Sequence, residues 1–411
     1  MENSIFKKEF VYIAILGGWL WGCGSGNDRA AFSEQGGKEI ILENISTVPL
    51  RERIDSVWCV PLETTDSSLV SSVASLQIMD DRFYMLDGTY ASILIFDKQG
   101  RYINGIYGQG KGPKEYIRIC DMQLDRLNRQ IVVSDQFSKK LLIYDRDGRW
   151  VKTVPFRDCW APVVPFMQDR YVQINDGREM YLPEDMQKWN LTLFDDRGEP
   201  LANWLPDQTP NRIDFVTHRN VCTFDNGEFC YAPLFSSTIY RIGLDSIVPA
   251  YRLINRLEGI KSLSENDLQR IEYILEDKQC SYVDYQRQPY FLPGAILNSP
   301  QMLCVFVDVQ DSPYYIFYDK ELDCAEIFDC NRSPLPDLKH ITVDQALDNL
   351  LCAYPLCIDG RTFYVELNHV HKILMGDKDP GPKFAPVYDA LGENDNPILV
   401  AYTLKRPDCN E

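Results

Sequence analysis

The chain is short of histidine, of positive charge and of long apolar runs, and each shortage excludes something. Only four histidines occur in 411 residues. Two of them, His369 and His371, alternate along a strand-like stretch, but no third ligand accompanies them, so no metal site and no cofactor is expected. Lys and Arg number 42 against 60 Asp and Glu, a formal net charge of −18. A surface this acidic is repelled by phosphate backbones, and nucleic acid is not expected as a partner. There is no CxxC pair, no G-x-S-x-G elbow, no H-E-x-x-H and no pair of catalytic carboxylates, so no catalytic residue is nominated. What remains is ordinary for a globular protein, with 45% hydrophobic and 25% charged residues.

The one long uncharged run lies near the start. Lys7 and Lys8 precede Phe10–Gly22, FVYIAILGGWLWG, which is 13 residues long. That is too short to cross a hydrocarbon core of ~30 Å as a helix but suits the apolar region of an export signal. The run ends Leu20-Trp21-Gly22-Cys23 and is followed by Gly24-Ser25-Gly26-Asn27-Asp28. This resembles a bacterial lipobox, in which the cysteine is acylated and becomes the mature N-terminus. Residues 1–22 therefore read as a lipoprotein signal peptide, Cys23 as the lipidation site and 23–39 as a tether. The expected location is the cell envelope, anchored by lipid at the outer membrane and facing the periplasm or the exterior.

Thirteen cysteines spread over this length do not make a disulfide framework. A two-residue turn at Asn226-Gly227 in VCTFDNGEFCY would set Thr223 opposite Cys230 and Cys222 opposite Tyr231, with the two sulfurs on opposite faces. Cys304, in MLCVFVDV, reads as a small core residue. Mostly free, buried thiols are expected.

The chain also repeats itself. ILIFDKQGRYINGIY (93–107), LLIYDRDGRWVKTVPF (141–156) and LTLFDDRGEPLANWL (191–205) share a β-rich run, an aromatic-Asp-x-x-Gly turn and a second β run. Asp97, Asp145 and Asp195 are spaced by 48 and 50 residues. Each segment is a hairpin, with Asp and Gly supplying the turn. A second hairpin precedes the first two, in LQIMDDRFYMLD (76–87) and MQLDRLNRQIVVSD (122–135). Two hairpins per period of ~40–50 residues make four strands, the content of a propeller blade. Weaker units follow at 222–253, at 295–328, and at 351–367 with PILVAYTL (397–404). The expected fold is all-β, a six-bladed β-propeller of four-stranded antiparallel blades spanning 40–407. An open sheet edge is a liability, so RIDSVWCVPLE (53–63) is assigned to close the last blade beside PILVAYTL. A helical insertion is expected at about 262–278, and a shorter one at 343–351, both packing on the periphery.

VPLETT (60–65), the FDKQG hairpin, GQGKGPKEY (108–116) and NPILVAYTL (396–404) together resemble the six-bladed propeller lipoproteins of gut-dwelling Gram-negative bacteria. The family's glycine loop reads roughly G-R-G-P-G-E-Y; here Lys111 stands at the Arg place and Lys114 at the last Gly. The resemblance spans about 40–407 and implies the fold, without an activity. A more distant similarity is to NHL/TolB-like propellers.

Two readings stand for the channel-mouth loops. GQGKGPKEY lacks the hydroxyl of a phosphate loop and lies between β runs, so it joins one blade's outer strand to the next blade's inner strand. Lys111, Glu115 and Tyr116 in it, with Asp87 and Asp135, are the candidate binding residues; alternatively Glu115 accepts backbone hydrogen bonds and the aspartates cap turns. The leading functional expectation is a binding or scaffold propeller for a protein, peptide or glycan. The alternative is a lactonase-like hydrolase or lyase with a metal in the channel, a question that fold alone does not decide.

Overall fold

The computed structural model describes residues 31–407 apart from several stretches, the longest being 207–219, 268–288 and 331–349. Residues 1–30, most of 262–278 and 343–351, and both His369 and His371 lie outside the described residues.

Six separate antiparallel sheets form the blades. Blade 1 runs from the channel outward as Val73–Met79, Arg82–Asp87, Ser92–Asp97 and Tyr102–Ile106, and blade 2 as Asp121–Asp125, Gln130–Asp135, Lys140–Asp145 and Trp150–Pro155. The middle strands of a blade are covered on both faces by its neighbours. Their sequences are accordingly continuous apolar runs rather than alternating ones: RFYML, SILIF and KLLIY are buried almost throughout. Outer strands are more exposed, as in Trp150–Pro155, where Val154 alone is buried.

The repeated turns behave alike. Asp97 Oδ1 accepts the N–H groups of Gln99 and Arg101, Asp145 Oδ1 those of Asp147 and Arg149, and Asp195 Oδ1 those of Arg197 and Glu199, all at 2.8–2.9 Å. The glycine three places on has φ of +81°, +82° and +78° in turn. A Cβ on Gly198 would also stand 2.0 Å from the carbonyl oxygen of Pro155 in the preceding blade, so this turn needs glycine twice over.

Each blade-to-blade interface is a core of its own. Phe83 meets Tyr364 across blades 1 and 6, Phe166 meets Phe229 across blades 3 and 4, and Phe317 meets Phe363 across blades 5 and 6, with centroids 5.1–5.9 Å apart. Edge-to-face pairs of this kind add about 0.5–1.5 kcal/mol beyond their burial.

The ring closes as the sequence predicts. Ile54–Pro61 is the outer strand of blade 6 and pairs antiparallel with Ile398–Leu404. The tether is shorter than expected, however. Ala31–Phe32 and Lys38–Leu42 add parallel to Ser246–Asn255, the outer strand of blade 4. Ile40 and Leu42 are buried between blades 4 and 5. Ser46 N–H then bonds the Ile327 carbonyl of blade 5 before the chain enters blade 6. The arm is thus a strap over three blades. Ile40 and Leu42, on one face of the strand, are the local cause, but the sheet edge they fill is made two hundred residues later.

The 222–230 hairpin corrects the expected register. Its loop has three residues, Asp225-Asn226-Gly227, with only Gly227 at positive φ (+80°), because a single left-handed residue suits a three-residue loop whereas a two-residue type I′ turn needs two. The extra residue sets Cys222 directly opposite Cys230. Both remain free thiols, as do Cys59, Cys120, Cys304, Cys330 and Cys357. Cys324 is disulfide-bonded.

Candidate functional site

Two mouths flank the channel, and of the candidate residues Asp87 lines a cavity at the smaller one. The cavity, of about 210 Å³, lies between blades 1 and 2 beside Asp87, Gly88 and Arg118. Asp87 is fully buried. Its Oδ2 accepts from Ser71 N–H at 2.6 Å, and its Oδ1 from Thr89 and Tyr90 at 2.7 and 2.9 Å. Asp135, equally buried, does the same one blade later, accepting from Ile117 at 2.8 Å and from Phe137 and Ser138 at 3.2 and 3.3 Å. Of the two roles open to them, the carboxylates take that of turn caps. Each clasps the incoming loop and turns an aromatic side chain outward, Tyr90 (62% exposed) and Phe137 (52%).

GQGKGPKEY joins blade 1 to blade 2 as predicted, and it is tied down. Glu115 Oε2 accepts the Gly112 N–H at 2.8 Å. Tyr116 is buried and donates its hydroxyl to the Ile106 carbonyl at 3.1 Å. Lys140 and Thr153 donate to the Gly112 and Pro113 carbonyls at 2.9 and 2.8 Å, and Lys114 lies 4.3 Å over the Trp150 ring. Lys111 is exposed. Tyr116 is the loop's anchor into the core between blades 1 and 2.

The opposite mouth holds a cavity of about 1160 Å³. Its walls are the turns that end the innermost hairpins: Asp80 and Asp81 from blade 1, Arg126 and Arg129 from blade 2, Phe224–Asn226 from blade 4, Asn298–Pro300 from blade 5 and Ile358–Gly360 from blade 6. Lys38, from the strap, reaches the rim. Most of the charges are paired. Asp80 sits 3.2 Å from both Arg129 and Arg146, Asp359 is 2.7 Å from Lys98, Lys38 pairs with Asp323, and Arg241 with Glu228.

Two cations stand apart. Lys320, from blade 5, is held by neutral oxygens, the side-chain carbonyl of Asn298 and the backbone carbonyl of Ser299, and lies 5.4 Å over the Tyr251 ring. Burial pulls its ammonium below the ordinary lysine value. Arg126 has a buried Nε with no hydrogen-bond partner, and its nearest carboxylate is Asp225 at 4.0 Å, whose side chain is 94% exposed. Below them the throat is lined by Ser75, Gln77, Gln123, Cys222 and Cys357. Burial pushes the Cys222 and Cys230 thiols up to about 12, so both are neutral at physiological pH. Among the described residues no group of three or more His, Cys, Asp or Glu side chains is placed to hold a metal ion.

None of these cavity residues was singled out from the sequence. The signal was present in part: MDDR and LDRLNR, the charged tips of the inner hairpins, are turn sequences whose side chains no strand face needs. They belong to the other end of the hairpins that end in Asp87 and Asp135.

The model of a domain of unknown function, DUF4934, matches residues 39–403. The chain belongs to this family. A Bacteroides fragilis NCTC 9343 protein whose name marks it as exported has the same fold, with a TM-score of 0.72 at 18% identity over 90% of this chain and 100% of that one. A member of the DUF4221 family from Bacteroides vulgatus ATCC 8482 aligns over 86% of this chain and 97% of its own at 10% identity, with a TM-score of 0.49 that carries no argument. No curated protein matches the chain. This DUF4934 protein is therefore tied to its neighbours by architecture alone.

Proposed function

We propose that the chain is an exported, lipid-anchored binding module of the cell envelope, a rigid disc that takes a protein, peptide or glycan partner. The signal-like residues 1–22 and the lipobox cysteine Cys23 support export and anchoring, and the Bacteroides fragilis neighbour named as exported agrees with them. The observation that carries the binding reading is the 1160 Å³ cavity walled by turns from five blades. A concave site at least as large as common ligand pockets (~300–1,000 Å³), built on rigid strand ends, presents fixed groups without ordering a loop. The partner contacts the mouth formed by the inner-hairpin turns rather than the one beside Asp87 and Asp135.

Hydrogen exchange in the presence of members of a glycan and peptide library tests which mouth is used. Protection is expected at 80–81, 126–129 and 224–226. Protection confined to 88–91 and 136–139 would move the site to the other face. Anchoring is tested separately: acyl labelling is expected on the wild type and lost, with membrane association, in Cys23→Ala. A wild type that carries no label would remove the anchor.

A further inference from the structure

The geometry points to an oxyanion subsite in the throat of this mouth, with Arg126 as the group that anchors a carboxylate or sulfate of the ligand. The inference rests on the reading that the ligand enters here and adds its chemistry. Arg53 and Arg146 also carry a buried Nε without a hydrogen-bond partner, but their guanidiniums have close carboxylates, Glu326 at 2.9 Å and Asp80 at 3.2 Å, whereas Arg126 has none nearer than 4.0 Å in a chain of net charge −18. The orphan cannot be put down to a nearby ion pair: Asp225 is 4.0 Å away and lies almost wholly in solvent. Every other carboxylate at the rim is committed, Asp80 to Arg129 and Arg146, and Asp359 to Lys98, apart from Asp81.

Lys320 makes the second half of the site. It comes from blade 5, which stands opposite blade 2 in a ring of six. Arg126 lines both the cavity and the throat beneath it, and Lys320 lines the cavity. The lining of the throat holds no carboxylate. Two cations lining one cavity suit a group with several oxygens. The guanidinium fork binds carboxylate or sulfate through paired N–H donors, and the ammonium adds a point charge. The shared chemistry is the oxyanion, and it has two sources: an acidic glycan, or a small free anion.

The test uses the full chain purified in detergent. Uronate and sulfated oligosaccharides, their neutral counterparts, citrate and inorganic sulfate are titrated by calorimetry into the wild type, Arg126→Gln and Asp225→Asn. The uronate or sulfated glycan is expected to bind, its neutral counterpart to bind at least about tenfold more weakly, and added salt to weaken the binding. Arg126→Gln should lose about tenfold or more in affinity at an unchanged melting temperature, as fits the loss of a charge-assisted hydrogen bond. Asp225→Asn should bind more tightly, because it removes the competing carboxylate, and it keeps the test alive if Arg126→Gln fails to fold. Arg126-dependent binding of citrate or sulfate without any glycan upholds the subsite with a free anion as its ligand. Equal binding of acidic and neutral glycans, or no effect of either substitution, overturns the subsite and leaves the mouth reading intact. Silence from every probe overturns the subsite too, and the exchange footprint then decides the mouth reading by itself.

Discussion

Single side chains in this ring spend their polar groups on the backbone, and that makes their removal costly in predictable ways. Asp87→Ala would strand the Ser71, Thr89 and Tyr90 N–H groups in a partly buried corner. At roughly 1–3 kcal/mol for each unsatisfied group, less relaxation, a loss of about 3 kcal/mol is expected in urea unfolding. Unchanged stability would mean that the blade 6–blade 1 loop is held elsewhere. Asp319 shows the effect of charge. Burial alone would raise its pKa, but Arg361, at 2.5 and 3.0 Å, and the Glu321 and Leu322 N–H groups outweigh burial and hold it below the ordinary value. A carboxylate depressed in the folded state adds stability above the unfolded pKa of ~3.9 and loses it as pH falls through the folded value. Wild-type stability should therefore drop more steeply below about pH 4 than that of Asp319→Asn, which starts lower at pH 7. Parallel pH curves would show the pair to be inert.

At the scale of the element, the 108–116 loop separates anchoring from decoration. Tyr116 fills a buried site and bonds the Ile106 carbonyl, while Glu115 lies at the surface with one bond to Gly112. Tyr116→Ala is expected to cost about 3–5 kcal/mol, as truncation of a large buried ring does. Glu115→Ala should cost less than about 1 kcal/mol. Thermal unfolding of the two variants checks the order, and a larger effect at Glu115 would reverse the assignment. The sequence marked both residues from one motif, since a glycine-rich loop ending in Glu-Tyr reads as a unit. Burial distinguishes them, and burial depends on Ile106 and the neighbouring blade.

For the whole molecule the decisive feature is closure through the N-terminal segment. Ile54–Pro61 supplies the strand beside Ile398–Leu404, and residues 31–46 strap blades 4 and 5 on the way there. Deleting 53–63 removes the outer strand of blade 6 and bares an edge rich in Val, Ile and Tyr. The shortened protein should aggregate or melt at a clearly lower temperature, as followed by light scattering during a thermal scan. A monomer with unchanged melting would show that the ring does not need its clasp.

What could be read from the residues alone was whatever repeats or is local. The Asp-x-x-Gly turns spaced by 48 and 50 residues, the apolar middle strands and the unpartnered RIDSVWCVPLE determined a six-bladed ring and the strand that closes it, because strand, turn and blade are set by neighbours a few residues apart. Only the tertiary structure decided the rest. A three-residue loop in place of two brought Cys222 opposite Cys230. The edge of blade 4 recruited KEIIL, a pairing across some two hundred residues that no local pattern announces. The site itself is a sum over five blades: Arg126 is an ordinary turn residue in its own hairpin. Its buried, unsatisfied Nε comes to share a cavity with Lys320 only when the ring sets blade 2 across from blade 5, since the space between them belongs to no single segment of the chain.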